Sequence, residues 1–498
     1  MKIKIVGVFA ICLIIAEHAI AQNDADVLRY SIINWGSTAR TLGMGNAFGA
    51  LGADPSAMAT NPGGMGLYKR SEFTFSPTFT LRNITSDFLG KNTDDNHFRF
   101  NFGNLGFVWA FPKDDANQDW KGFTFGIGYN RLNDFSGTSF AEGVNQKNSL
   151  LDSYIDQVNN NHISPENFPD QYPLDIDLAW QTFLLDTNSN GLYSAIPSGG
   201  ARQRYSVETK GGMGEWDFSV GGNYLDKLYI GGTLGILSIN YKDDKIWEET
   251  DVDNTIASSD STHNFKSYKY TQNLKVNGTG INLKFGMIYK LNDQIRIGAA
   301  VHTPSFLSLT DDYKTSITAQ YDGGTSNTQA SPDFLPFDYK INTPFRFIGS
   351  LGIIVGKHGL LDADYEYLNY RKSSINPKDK TFKSDFIESN QTIKSRYTSA
   401  HNVRVGGEVR YNKLRFRLGT AYYGTPFAKG YNNSDTDQSR MSYNGGLGFR
   451  DENFYFDIGY SYTKTGSYEG VYATNDEVIG TKTNTMDHRL MLTIGFNY

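Results

Sequence analysis

Cysteine, proline and long apolar runs are all scarce in this chain. Of 498 residues one is Cys and 14 are Pro. After residue 21 no stretch supplies the roughly 20 consecutive apolar residues of a membrane-spanning helix, so a helical membrane protein is excluded. The lone Cys12 lies inside an apolar N-terminal run. If that run is removed, no disulfide, Cys-ligated zinc or thiol nucleophile is left. Strong charge of one sign is missing too, and a net charge of -6 gives no purchase on nucleic acid. The seven later histidines (97, 162, 263, 302, 358, 401 and 488) are scattered, with no HExxH pair and no GxSxG elbow. The chain reads as a non-enzyme with no cofactor and no metal. What it has is 51 Gly, 33 Phe and 31 Tyr within a 39% apolar composition. So many aromatic residues exclude wholesale disorder, and glycine without a three-residue period excludes collagen. A large soluble β protein and a membrane β-barrel remain, the latter because alternation dilutes its apolar signal.

The first 21 residues have the order of a secretory signal. Lys2 and Lys4 precede an apolar run from Ile5 to Ala16, and Ala19-Ile20-Ala21 supplies small residues for cleavage before Gln22.

Beyond them, segments alternate with period two, as strands with unlike faces must. Ile281, Leu283, Phe285, Met287 and Tyr289 oppose Asn282, Lys284, Gly286 and Lys290. Similar runs end at the turn Asn412-Lys413 and at the C-terminal Leu490, Leu492, Ile494, Phe496 and Tyr498. About fourteen strands are expected between residues 72 and 498. Mostly tight links follow the even-numbered strands, and long polar ones follow the odd, the largest spanning 132–214. Short turns at one end and long loops at the other define an outer-membrane barrel, whereas a soluble sandwich has no reason to sort loops by parity. An outward Arg or Lys at the bilayer midplane costs about 2–4 kcal/mol, and the apolar faces carry none, so the charged faces line the lumen.

Residues 22–70 differ from the rest. The segment from Ser37 to Leu67 is small, Gly/Ala-rich and apolar, and it contains Asn61-Pro62-Gly63. It has neither the polarity of a linker nor the glycine spacing of a phosphate loop. It resembles the N-terminal hatch of FadL-type long-chain fatty-acid transporters, where an Asn-Pro-Ala motif stands in place of Asn61-Pro62-Gly63. The resemblance is confined to roughly residues 36–75. It implies an all-β, fourteen-stranded transmembrane barrel over 71–498 in the Gram-negative outer membrane, with a hatch over 22–70 plugging the lumen.

Two features are assigned in that light. Loop 132–214 carries apolar patches at Leu150, Leu151 and Tyr154 and at Trp180 and Phe183. They serve either as an outer dock for hydrophobic substrates or as a self-packed lid. Phe98, Phe100 and Phe102 fall on the opposite face from Leu105, Phe107 and Trp109. A bulge at Gly103-Asn104 is therefore needed to keep the aromatics outward, and the resemblance makes it a candidate wall portal. Arg404, Arg410, Arg415 and Arg417 are expected to pair with Asp362, Asp364 and Glu366 in a lumenal charge ladder.

The function these features and the resemblance imply is passive transport of small hydrophobic molecules, long-chain fatty acids first, by a monomer. It proceeds through capture at the outer loops and rearrangement of the hatch around Asn61-Pro62. Its contacts are substrate, outer-membrane lipid and lipopolysaccharide. An adhesion barrel acting through its loops, and a general porin, are the alternatives.

Overall fold

The computed structural model describes residues 24–35, 37–113, 117–188, 191–196, 200–252, 265–322, 324–430 and 438–498. The expected signal peptide, with Cys12, and the start of the hatch at Gln22 lie outside them.

Fourteen antiparallel wall strands close into a barrel. They are β1 (Glu72–Phe88), β2 (Lys91–Pro112), β3 (Trp120–Asp134, resumed at Gly137–Asn145) and β4 (Ala201–Tyr224). Next come β5 (Leu228–Asp251), β6 (Phe265–Lys290), β7 (Ile295–His302, resumed at Phe306–Tyr321) and β8 (Phe337–Asn342 with Arg346–Val355). Then follow β9 (Gly359–Asn369), β10 (Ser399–Tyr411), β11 (Leu414–Tyr423), β12 (Arg440–Arg450), β13 (Phe454–Ala473) and β14 (Val478–Asn497). Closure comes from β14 on β1, with Phe496 opposite Phe73 and Leu490 opposite Phe79. Closure pairs the first strand with the last, so the sheet has no end strands exposed to lipid.

The outward residues form a belt. On β6, Ile281 to Tyr289 point out and are exposed, while Asn282 and Lys284 are buried inside. Above Ile281 the outward positions become Thr279, Asn277, Lys275 and Asn273. On β5 the apolar set ends at Ile236, and Ser238, Asn240 and Lys242 follow. An apolar belt bounded by polar surface is the lipid-facing band of a membrane barrel. The strands outlast it, so the wall rises well beyond the belt at the loop end.

This corrects the loop pattern. The links after β1 and β13 are not long loops: β1 and β2 meet at Leu89-Gly90, both with positive φ, and β13 and β14 leave only 474–477 between them. Residues 132–145 and 201–214, expected in the large loop, extend β3 and β4 instead. The described residues of 146–196 fold as a cap, with α3 (Leu150–Asn161), α4 (Phe168–Gln171) and α5 (Ile176–Gln181). Ser149 and Asp152 form a capping box on α3.

Inside the barrel the chain begins with α1 (Asp24–Ser31), descends through α2 (Ala39–Gly43) and two 3₁₀ turns, Pro55–Met58 and Pro62–Leu67, and leaves as β1. The last helix, α6 (Ile387–Arg396), folds in from the β9–β10 loop to meet α1.

Candidate functional site: hatch, lumen and wall seam

The hatch is held by short polar caps. Asp54 accepts the Ser56 N–H at 3.1 Å and a hydrogen bond from the Thr38 hydroxyl at 3.0 Å. Asn61 caps the second turn by accepting the Gly63 N–H at 3.1 Å. Its amide donates to the Gly49 carbonyl at 2.6 Å and to the Met287 carbonyl of β6 at 3.1 Å. One side chain thus closes the hatch on itself and fastens it to the wall.

Contact at this point is backbone to backbone. A Cβ on Gly63 would stand 2.7 Å from the Met287 Cα, and one on Gly286 would stand 2.0 Å from the Asn61 Oδ1. This accounts for glycine where the resembled motif has alanine.

The wall answers with acids. Asp364 accepts the Phe48 and Gly49 N–H groups, each at 3.1 Å, and Asp362 accepts that of Ala50 at 3.3 Å. Arg404 binds Glu366 at 2.9 Å, and Arg346 binds the same carboxylate at 2.7 Å. Arg417 joins Glu408 at 2.8 Å to Asp457 at 2.7 Å, and the hatch's own Arg40 reaches Glu408 at 3.3 Å. Of the four arginines expected in a ladder with Asp362, Asp364 and Glu366, Arg404 meets those acids, whereas Arg410 and Arg417 bind Glu408, where Arg40 of the hatch joins them. Arg415 sits instead at the short-turn rim, donating to the Asn412 and Leu414 carbonyls.

Above the hatch the lumen is lined mostly by apolar side chains, around a buried Asp26–Arg29 pair on α1 whose guanidinium lies 4.2 Å from the Tyr241 ring centre. Val27 and Tyr30 of α1 are buried among Leu237, Leu274, Leu309, Tyr339, Phe386 and Tyr397. The head of α1 is polar: Asp24 accepts from the Arg396 Nη1 at 2.9 Å and from the Tyr397 hydroxyl at 2.8 Å.

The wall beside this chamber is not fully paired. Among the described residues, β2 pairs with β3 only from Asn104–Asn130 down to Pro112–Gly122. A one-residue bulge at Gly103 shifts the β1–β2 register between Ser76 and Pro77, so Phe98, Phe100 and Phe102 stay exposed alongside Phe107 and Phe111. A second bulge at Leu132 breaks the β3–β4 register. Above these points no backbone-to-backbone ladder crosses the seam among the described residues. It is bridged through side chains: Asn101 to Asp134 at 2.8 Å, Arg99 to Asp134 at 3.1 Å, Lys91 to Glu142 at 2.5 Å, and Thr93 to the Phe140 carbonyl. The strap following α1 is stitched to the same place, with the Asn34 N–H on the Leu132 carbonyl at 2.8 Å and the Asn34 amide on Asn133 at 3.0 Å.

Solved structures share this architecture. A Pseudomonas aeruginosa FadL homologue aligns over 93% of this chain and 98% of its own, at 13% identity and a TM-score of 0.54. The P. putida toluene transporter TodX aligns over 93% and 99%, at 12% identity and 0.53, and the Ralstonia pickettii toluene transporter TbuX over 93% and 99%, at 14% and 0.51. The fold is that of a FadL-type barrel. No protein-family model and no curated protein matches the chain.

Within this FadL-type barrel the expected residues part company. Asn61, Pro62 and Gly63 lie together at the hatch–wall contact, and Gly103 and Asn104 at the foot of the seam. Leu150, Leu151 and Tyr154 are buried in the cap core with Phe88, Phe168 and Trp247. Trp180 is half-buried, edge-on to Phe168 at 5.8 Å, and of the five candidate docking residues only Phe183 is exposed. The His302 Nε2 meets the Thr60 carbonyl at 2.8 Å, and the Ser305 hydroxyl accepts from Asn282.

One network escaped the sequence reading. Asn104 donates to Asn130, Asn130 to Asp217, and Lys284 to Asp217, each at 2.7 Å; Lys284 also binds Glu215, which accepts from Asn282 at 2.6 Å. It runs round the lumen floor from the bulge to β7. The only trace in sequence is that each member falls on the polar phase of its strand.

Proposed function

We propose that this protein carries small hydrophobic molecules passively across a Gram-negative outer membrane as a monomer, with long-chain fatty acids as the leading substrates. The observation that carries the proposal is the mostly apolar chamber around α1, which adjoins a wall seam that no backbone ladder closes. A molecule captured beside the cap, at the surface carrying Trp180 and Phe183, enters that chamber as α1 yields. It leaves between β2 and β3 above Gly103 and Asn104. Diffusion supplies the drive.

The head of α1 supports the fatty-acid assignment. The Asp24 carboxylate, held by Arg396 and Tyr397 with Val27 and Tyr30 behind it in apolar packing, occupies the position a fatty acid would take, carboxylate on the cation and tail in the chamber. The porin reading needs a water-filled bore, and here α1, the hatch and their packed partners fill it.

The seam can be tested because the chain past residue 21 has no cysteine. With Asn101→Cys and Asp134→Cys bridged by a short bis-methanethiosulfonate, oleate uptake should fall by about tenfold or more and recover on reduction. Unchanged uptake in the bridged protein rejects the seam as the exit, and absence of oleate uptake in the unmodified protein rejects the fatty-acid reading.

A further inference from the structure

Where the last wall strand meets the first, three arginines face the lumen on three adjacent strands. Arg489 of β14 and Arg99 of β2 both stand opposite Thr80 of β1, and Arg82 lies two residues above Thr80. Their chain neighbours Leu490, Phe100 and Leu81 point outward and are exposed. Strands lie about 4.8 Å apart, so the flanking arginines start roughly 10 Å apart with Arg82 between them. They also converge, since Arg82 and Arg99 both donate to the carbonyl of Ser136, in the break of β3. The adjoining Phe135 meets Tyr30 of α1 edge-on at 5.8 Å, which puts the cluster beside the chamber.

The acids here are fewer than the cations. Asp487 takes Arg82 through both oxygens, at 2.7 and 2.9 Å. Asp134 takes Arg99 at 3.1 Å and has Arg131 at 3.8 Å. Four guanidinium groups thus share two carboxylates. Arg489 is half-buried and, among the described residues, has neither a hydrogen bond nor an ion pair. Asp487, Asp134 and Arg82 are the strongest charges around it. The Arg99 Nε is buried with no acceptor. Asp95 of β2 and Asp457 of β13 are the next acids on this face. Each is four residues from the rung, about 13 Å along its strand, and Asp457 is taken by Arg417 and Arg450. Outside, Leu490, Phe79 and Phe100 lie in register in the apolar belt. Unmatched cations at that depth are costly, and they mark a path for a polar group.

We propose that Arg489, flanked by Arg82 and Arg99, binds the carboxylate of a single-chain amphiphile on its way from the chamber to the seam. A carboxylate matches the planar fork of a guanidinium and supplies the missing negative charge. The tail then lies across the seam towards Phe98, Phe100 and Phe102, exposed on the lipid side. The site admits anionic amphiphiles in preference to neutral hydrocarbons. Selection by head group rests on the seam being the exit proposed above.

The test uses the full-length protein in a non-ionic detergent with two photoreactive probes, an oleate and an oleyl alcohol, each carrying a diazirine near the head. After illumination the labelled peptides are identified by mass spectrometry. The oleate probe should label residues 78–101 and 485–493. Arg489→Gln, which breaks no bond of the fold, should lower that labelling about tenfold, and Arg489→Lys should keep part of it. The alcohol probe should label the unmodified and Arg489→Gln proteins alike. Equal oleate labelling of Arg489→Gln overturns the proposal, and so does an equal fall with the alcohol probe, which would trace the loss to shape and not charge. Oleate labelling confined to residues 24–33 and 386–397 overturns it too, while leaving capture in the chamber intact. Exit by the seam is judged separately, from the bridged Asn101→Cys, Asp134→Cys protein.

Discussion

Asn61 does three jobs with one amide, and each depends on its exact shape. It caps a turn, binds a hatch carbonyl and binds a wall carbonyl. Asn61→Ala removes all three bonds and leaves two buried carbonyls short of a donor, a loss of about 1–3 kcal/mol in hatch docking. Gly63→Ala drives a methyl group into the β6 backbone and should loosen the same contact. In both variants the amides of residues 48–66 should exchange faster with solvent while the β12–β14 amides do not, as hydrogen-exchange mass spectrometry can report. At this scale the motif was legible from its resemblance to a hatch, and its departure at Gly63 is explained by the close approach of Met287. The roles of Asp362 and Asp364 were not legible. Their partners are backbone N–H groups of Phe48, Gly49 and Ala50, which leave no mark in the identity of those residues.

Strands were readable where lipid imposes a rule on them. Ile281 to Tyr289 alternate because one face meets hydrocarbon. From Lys242 to Asp251 the upper part of β5 has water outside, so a polar residue suits either phase and the pattern fades. For that reason the extensions of β3 and β4 were read as loop. They carry the cap, and Glu249 of β5 ties it down. Its carboxylate accepts the Leu150 N–H at the start of α3 at 3.1 Å, the Gln203 amide at 2.9 Å and the Trp247 indole N–H at 3.2 Å. Burial raises its pKa from 4.5 to about 7 despite those donors, and the residue lies above the apolar belt. The docked cap therefore keeps a proton that the freed carboxyl has already lost, and docking weakens as pH rises from about 4.5 to about 7. The full effect is on the order of 3 kcal/mol. Protection of the 150–158 amides, corrected for intrinsic exchange, should be higher at pH 5 than at pH 8. Glu249→Gln should flatten that difference.

Across the whole molecule the N-terminal segment links three places. Its helix fills the chamber, its strap is stitched to β3 at Leu132 and Asn133, and its hatch rests on the Asp362 and Asp364 carboxylates. Removing residues 24–33 should leave the wall intact, since every wall strand keeps its neighbours, while emptying the chamber. Planar-bilayer recordings should then show a conducting state absent from the full chain, and equal silence in both would place the seal in the hatch alone. The number of strands could be read from alternation along the chain, and the plug from the resemblance of residues 36–75 to a hatch. The bulge at Gly103 could be read as well, because the aromatic residues change phase there. The unpaired half of the β2–β3 boundary could not be, since pairing is a relation between strands and no single segment records it.

The bulges at Gly103 and Leu132 lie partway up the wall, and the continuous ladder runs only below them. A slit that starts at the rim and stops there has a fixed lower end. On the exit route proposed above, cargo would be released at one depth, into the half of the bilayer nearer the loops. Arrival in the opposite leaflet would then follow the rate at which the molecule flips within the membrane, a property of the cargo and the lipid rather than of the gate.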